Sequence, residues 1–142
     1  FEIKLDPRIT DISRADLEEK FNLAVQIRNE VSKANEAVIK IRSIKEKINT
    51  AGLAAKNKQL TDQLSAIEEQ LYQVKNQSSQ DPLNFPIRLN NKLASLGRVV
   101  ETGDYKPTNG SYKVFNELKA ELAVQLNQLD ALLKKKEITK FL

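Results

Sequence analysis

One aspartate, one arginine and three amides fall in a single stretch, Asp81-Pro82-Leu83-Asn84-Phe85-Pro86-Ile87-Arg88-Leu89-Asn90-Asn91. A guanidinium offers a fork of donors, and each side-chain amide offers both a donor and an acceptor. Such a set can hold a polar ligand or face a partner domain, and loops carry function more often than the helices beside them. A structural account covers the same residues. In it Asp81 caps a turn beginning at Pro82, Asn84 caps the next helix, and Phe85 plugs the end of the core. Arg88 then pairs with an acid, while Asn90 and Asn91 brace neighbouring loops. Both accounts stay open. A second distinctive loop, Gly103-Asp104-Tyr105-Lys106-Pro107-Thr108, offers Asp104 and Tyr105 but reads more simply as a turn followed by a cap.

Other chemistry is scarce. The chain has no His and no Cys, which excludes Ser-His-Asp triads, Cys-His pairs and the usual zinc sites. Acids occur as neighbours, Glu18-Glu19 and Glu68-Glu69, and adjacent positions on a helix point in different directions. Asp81 and Asp104 are expected in loops at opposite ends of a bundle, too far apart to act as a carboxylate pair. The four glycines are scattered, so no phosphate-cradling loop is present. No catalytic residue, cofactor or metal site is expected.

At 142 residues the chain is long enough for one domain with a real core. Its hydrophobic content of 40%, charged content of 30% and few Gly and Pro suit a helical domain. The net charge of +4 is spread among interspersed lysines and glutamates. Nucleic-acid binders cluster their basic residues, so no nucleic-acid partner is expected. No apolar run reaches the roughly 20 residues of a membrane span, so no membrane insertion is expected either. A chain that opens Phe1-Glu2-Ile3-Lys4-Leu5 and lacks methionine reads as a piece of a longer protein.

The fold class expected is all-α: an up-down-up-down four-helix bundle with a long first helix and a short extended lead-in. Residues 1–12 form that lead-in, a strand or linker from a preceding domain, broken by Asp6-Pro7-Arg8. The bundle occupies 13–142, with helices at about 13–51, 54–76, 86–102 and 108–136. Ser13 caps the first helix, with Asp16 completing a capping box, and Gly52 stops it. Its apolar stripe is read as Leu17, Phe21, Ala24, Val31, Val38, Ile41, Ile44 and Ile48, widened by Ile27 and Ala34. The second helix shows a heptad of Leu53, Leu60, Leu64, Ile67, Leu71 and Val74, with Asn57 filling one beat. The third starts at Pro86 and stops at Gly103. The fourth follows the cap Thr108, carries Phe115, and ends in Lys134-Lys135-Lys136, which suit the negative end of a helix dipole. The far end of the long helix needs a partner, a bend, or cover from the termini.

Three stretches occur in one order: Asp6-Pro7-Arg8 before a long helix, residues Asn76 to Leu93, and Gly103-Asp104-Tyr105 with Pro107-Thr108. That order resembles the C-terminal helical region of large bacterial β-propeller proteins of the BNR-repeat or sortilin-like glycosyl hydrolase type. The resemblance spans nearly the whole chain. It implies an accessory domain behind a propeller in an exported parent, periplasmic, cell-surface or secreted. The preceding β-propeller is then the partner, docked or assembled through this domain. Alternatively, Asp81, Asn84 or Arg88 completes a glycan- or peptide-processing site on the propeller. A third reading is a homo-oligomer formed through an exposed strip of the first helix.

Overall fold

The capping box at Ser13 forms as the sequence predicts. Ser13 Oγ accepts from Asp16 N at 3.1 Å, and the Asp16 carboxylate accepts from Ser13 N at 2.9 Å. Two of the donors left open at a helix start are thereby satisfied. From this cap α1 runs Arg14–Thr50 in the computed structural model, which describes residues 2–4, 6–76, 84–103 and 105–142. At 37 residues it is about 55 Å long. Gly52, at φ 67, supplies the left-handed residue just past its end. The other helices are α2 (Lys58–Leu71), α3 (Leu89–Glu101), α4 (Asn109–Leu133) and a single turn, α5 (Lys136–Thr139). The fold is an all-α bundle with a long first helix. Among the described residues there is no strand. Residues 2–4 are irregular, and Phe1 and Leu5 lie outside the described residues.

The helices form three legs. Glu68 of α2 meets Arg42 and Lys45 of α1. Further along the chain, Asn90 of α3 approaches Asn35. A Cβ on Gly97 would stand 3.4 Å from Ile27, and the carbonyl of Gly103 accepts from Lys20 Nζ. The partners on α1 thus fall steadily from 45 to 20 while the chain advances from 68 to 103. So α2 and α3 both run antiparallel to α1, one beyond the other, covering its length between them. Next, α4 returns parallel to α1: Tyr112 bonds Glu19 near its start, and Leu126, Leu129 and Leu133 lie beside Lys33, Ala37 and Lys40 further on. One detail therefore differs from the expected up-down-up-down order: the connection between α2 and α3 shifts the chain along α1 without turning it back.

Several boundaries move for local reasons. The second helix was expected to extend over 54–76, but it starts at Lys58 and stops at Leu71. Asn57 is buried and turns its side chain back, Nδ2 donating to Leu53 O at 2.9 Å. At the other end Tyr72 is fully extended, so Val74 falls outside the helix and is exposed. The third helix begins at Leu89 rather than Pro86, and its N-cap is Arg88, not Asn84. Arg88 is extended, at φ -110 and ψ -177, so helical backbone begins only after it, while Gln73 Nε2 donates to the Pro86 carbonyl at 2.8 Å. At Thr108 the predicted cap is present, Oγ1 accepting from Ser111 N. After Leu133 the chain bends into α5, which folds Ile138 and Phe141 onto the far end of α1. Lys47 Nζ donates to the Phe141 carbonyl at 3.1 Å. The C-terminal end thus gives the long helix its cover there.

The core runs through all three legs, with Leu23, Ile27, Ile41, Ile44, Ile48, Leu64, Leu71, Leu93, Leu122 and Ile138 almost fully enclosed. Besides Val74, a second expected core residue is misplaced. Phe21 is 68% exposed, whereas Leu23, absent from the predicted stripe, is 1% exposed. Two helical positions span about 200°, so these two residues cannot share a face. Leu23 lies in register with Ile27, Ala34 and Ile41, and Phe21 points away from the core. Accordingly, Leu23→Ala is expected to cost about 2–5 kcal/mol, while Phe21→Ala should cost less than about 0.5 kcal/mol. Urea unfolding midpoints of the two variants check this.

Candidate functional site

The α2–α3 junction sits against α1 between Asn35 and Lys45. Its centre is Glu68, whose side chain is 5% exposed. Arg42 Nε donates to Oε1 at 2.6 Å and Lys45 Nζ to Oε2 at 3.0 Å. The Arg42 guanidinium also lies 5.2 Å from the Tyr72 ring centroid, within cation–π range. Burial pushes the Glu68 carboxyl upward, but the hydrogen bonds and charges of Arg42 and Lys45 outweigh it and hold the group below its ordinary value. The neighbouring Glu69 is exposed. Of that acidic pair, one member clamps two legs together and the other faces water.

Gln73 closes the connection between the two helices. It is 4% exposed. Its Nε2 donates to the Pro86 carbonyl at 2.8 Å, and its Oε1 accepts from Lys75 N at 3.3 Å. Lys75 Nζ lies 5.8 Å from the centroid of Phe85. One buried amide thus ties together chain segments 13 positions apart.

Of the residues singled out in the sequence, Asn84 is exposed, Phe85, Arg88 and Asn91 are half-buried, and Asn90 is buried. Asp81 lies outside the described residues. Asn90 Oδ1 accepts from Asn91 N at 2.8 Å, and its Nδ2 reaches Asn35 Oδ1 at a long 3.5 Å. Asn90 therefore braces α1 rather than a loop. Among the described residues no acid pairs with Arg88, and its Nε is buried with no hydrogen-bond partner, as is Asn76 Oδ1. Beside Arg88, Ile87 is 40% exposed. The structure thus places Asn84, Phe85, Arg88, Asn90 and Asn91 at the start of α3, near the middle of α1 and not at a bundle end, with Asn90 turned to α1 and Asn84 to solvent.

The second loop lies elsewhere. Tyr105 is 75% exposed and Asp104 is outside the described residues. This loop packs at Glu19 and Lys20, roughly 22 Å along α1 from Asn35. Tyr112 Oη donates to Glu19 Oε1 at 2.6 Å, and Lys106 Nζ lies 3.5 Å from Glu19 Oε2. The bond to Glu19, with burial and the carboxylate's charge, pushes the Tyr112 hydroxyl up to about 12. At the lead-in, Arg8 bonds Asp6 and lowers its carboxyl, and Ser13 does the same to Asp16. All these shifts move groups away from neutrality, the opposite of what acid–base catalysis needs. Among the described residues no group of three His, Cys, Asp or Glu could hold a metal ion. No helix among them is long and apolar enough to cross a membrane. Compared with protein-family models, curated proteins and solved structures, the chain finds no match in any of the three.

The residues that build the junction, Arg42, Glu68 and Gln73, were not among those singled out. Only Glu68 left a signal: an acid adjacent to Ile67, one step from the apolar face, needs a cation from a neighbouring helix.

Glu68 predicts acid sensitivity. A carboxyl held below its ordinary value of 4.5 stabilises the fold above that pH and loses the contribution as pH falls through its folded value. Glu68→Gln is expected to lower stability by about 1–3 kcal/mol near neutrality, with the gap to wild type shrinking below about pH 4.5. Denaturant titrations at both pH values check it. Tyr112 works at the other extreme. Raised above its ordinary 10 to about 12, it contributes stability fully below about pH 10 and loses it as pH climbs through 12. Tyr112→Phe should remove a phase near pH 12 from the tyrosinate absorbance titration.

Proposed function

We propose that this chain is a non-catalytic helical interaction domain whose working surface is the side of the α2–α3 junction. The observation that carries the reading is Arg88. Its Nε is enclosed without a partner among the described residues, and a buried donor left unpaired costs about 1–3 kcal/mol. A carboxylate or carbonyl brought by a second surface would satisfy it. Exposed Ile87 and Asn84 flank it, and Gln73 anchors the adjoining chain, so little ordering remains to be paid on docking.

The partner we propose is a β-propeller preceding this domain in a longer exported protein. That part rests on the resemblance carried by Asp6-Pro7-Arg8, the Asn76–Leu93 stretch and Gly103-Asp104-Tyr105. Calorimetric titration of the chain into the separately produced preceding region is expected to give heat with a defined stoichiometry. Arg88→Ala should weaken that binding by about tenfold or more, with its helical circular dichroism unchanged. Absence of heat with both pieces folded overturns the propeller as partner. Undiminished binding by Arg88→Ala overturns the role of Arg88.

A further inference from the structure

A groove of about 620 Å³ lies between α2 and α4, on the side away from α1. Exposed Ala66 and Ala131 form its floor, with the edges of Ile67 and Leu132 beneath them. With no side chain beyond Cβ, the two alanines leave room for another backbone to approach. Gln63 and Gln70 stand on one rim, Gln125 and Gln128 on the other. The groove continues past Gln63 and Lys135 into a second hollow of about 560 Å³ at the start of α2. There Lys56, Lys135 and Lys136 face a single acid, Glu137, an excess of two positive charges (three minus one). None of these lysines is in an ion pair among the described residues. The first turn of α2 carries no acid, and Asn57 makes no side-chain cap there. The positive end of that helix adds to the lysines.

We propose that this groove docks an amphipathic helix carrying carboxylates at one end. A helix laid between two antiparallel legs is the fourth member that a three-legged bundle lacks, and docking a helix in a groove is a common recognition mode. From Lys56 to Gln70 the groove is roughly 21 Å long, which fits about four helical turns. The charge complementarity is polar along its length: Lys135, where the trough joins the second hollow, is the one charged residue lining the trough, and Lys56 and Lys136 lie beyond it at the lower mouth. A single-chain anionic amphiphile would match the lysines but leave four rim amides against hydrocarbon, where an unpaired amide is costly. A peptide helix presents polar flanks that pair with those glutamines. The inference stands on observations independent of the α2–α3 junction.

Two labelled synthetic peptides of about 14 residues test it. They share one Leu/Ala face and differ at the N-terminal end, which carries three Glu in one and three Lys in the other. In fluorescence anisotropy the acidic peptide is expected to bind the chain at least about tenfold more tightly than the basic one. Added salt should weaken that preference. The double variant Lys135→Glu/Lys136→Glu should invert it. Ala66→Arg/Ala131→Arg, at two exposed positions, should abolish binding while thermal unfolding stays unchanged. No binding of either peptide at about 1 mM, or equal binding by the filled variant, overturns the proposal. Binding of dodecanoate that the filled variant blocks, without peptide binding, overturns it in favour of a lipid-like ligand.

Discussion

The apolar stripe of α1 must be covered from Leu23 to Ile48, and most of the fold follows from that requirement. No other single helix reaches along the whole stripe. The second leg meets the requirement with two helices of 14 and 13 residues set one beyond the other. The third leg is one helix of 25 residues, extended by the turn at α5. Leaving either end bare would expose isoleucines and leucines worth about 1.5–3 kcal/mol each. The end-to-end arrangement of α2 and α3 is the price of an unbroken α1.

A broken leg creates a polar problem. Where α2 stops and α3 starts, helix termini with open carbonyls and N–H groups come to lie in the middle of a bundle, not at its solvated ends. The side chains gathered there answer it. Gln73 takes the Pro86 carbonyl, Asn90 takes the Asn91 amide, and Glu68 draws Arg42 and Lys45 across from α1. Directional contacts of this kind fix how far α2 and α3 slide along α1, which leucine packing alone fixes weakly. Arg88 Nε and Asn76 Oδ1 are left over from this accounting.

The same geometry separates two surfaces. The junction presents a guanidinium, amides and an exposed isoleucine near mid-height. The groove between α2 and α4 presents alanines, glutamines and a lysine mouth towards one end. The two surfaces differ in chemistry. At the junction Arg42 and Lys45 hold the Glu68 carboxyl below its ordinary value, as befits a group that holds helices in place.

Much of the local structure was legible in the sequence. Ser13 with Asp16, Thr108 before a long apolar repeat, and Gly52 and Gly103 past helix ends are signals that act through neighbouring backbone groups. They therefore work whatever the rest of the chain does, and both glycines take the positive φ their place requires. The all-α class and the long first helix follow from them. Which face of α1 is buried was not legible at its start, because Leu17, Phe21, Leu23 and Ala24 support two helical faces and only the docked legs choose between them. Between α2 and α3 Gln73 meets Pro86, a contact between residues 13 apart that no local propensity encodes. The candidate stretch was found by its composition, but the roles within it were set by burial: Asn90 braces α1, Asn84 does not cap α3, and Arg88 has no acid beside it among the described residues. The sequence by itself determined where helices begin and end in most places, since caps and periodicity are short-range. Only the tertiary structure decided that two of those helices share one leg, because that depends on matching their combined length to α1.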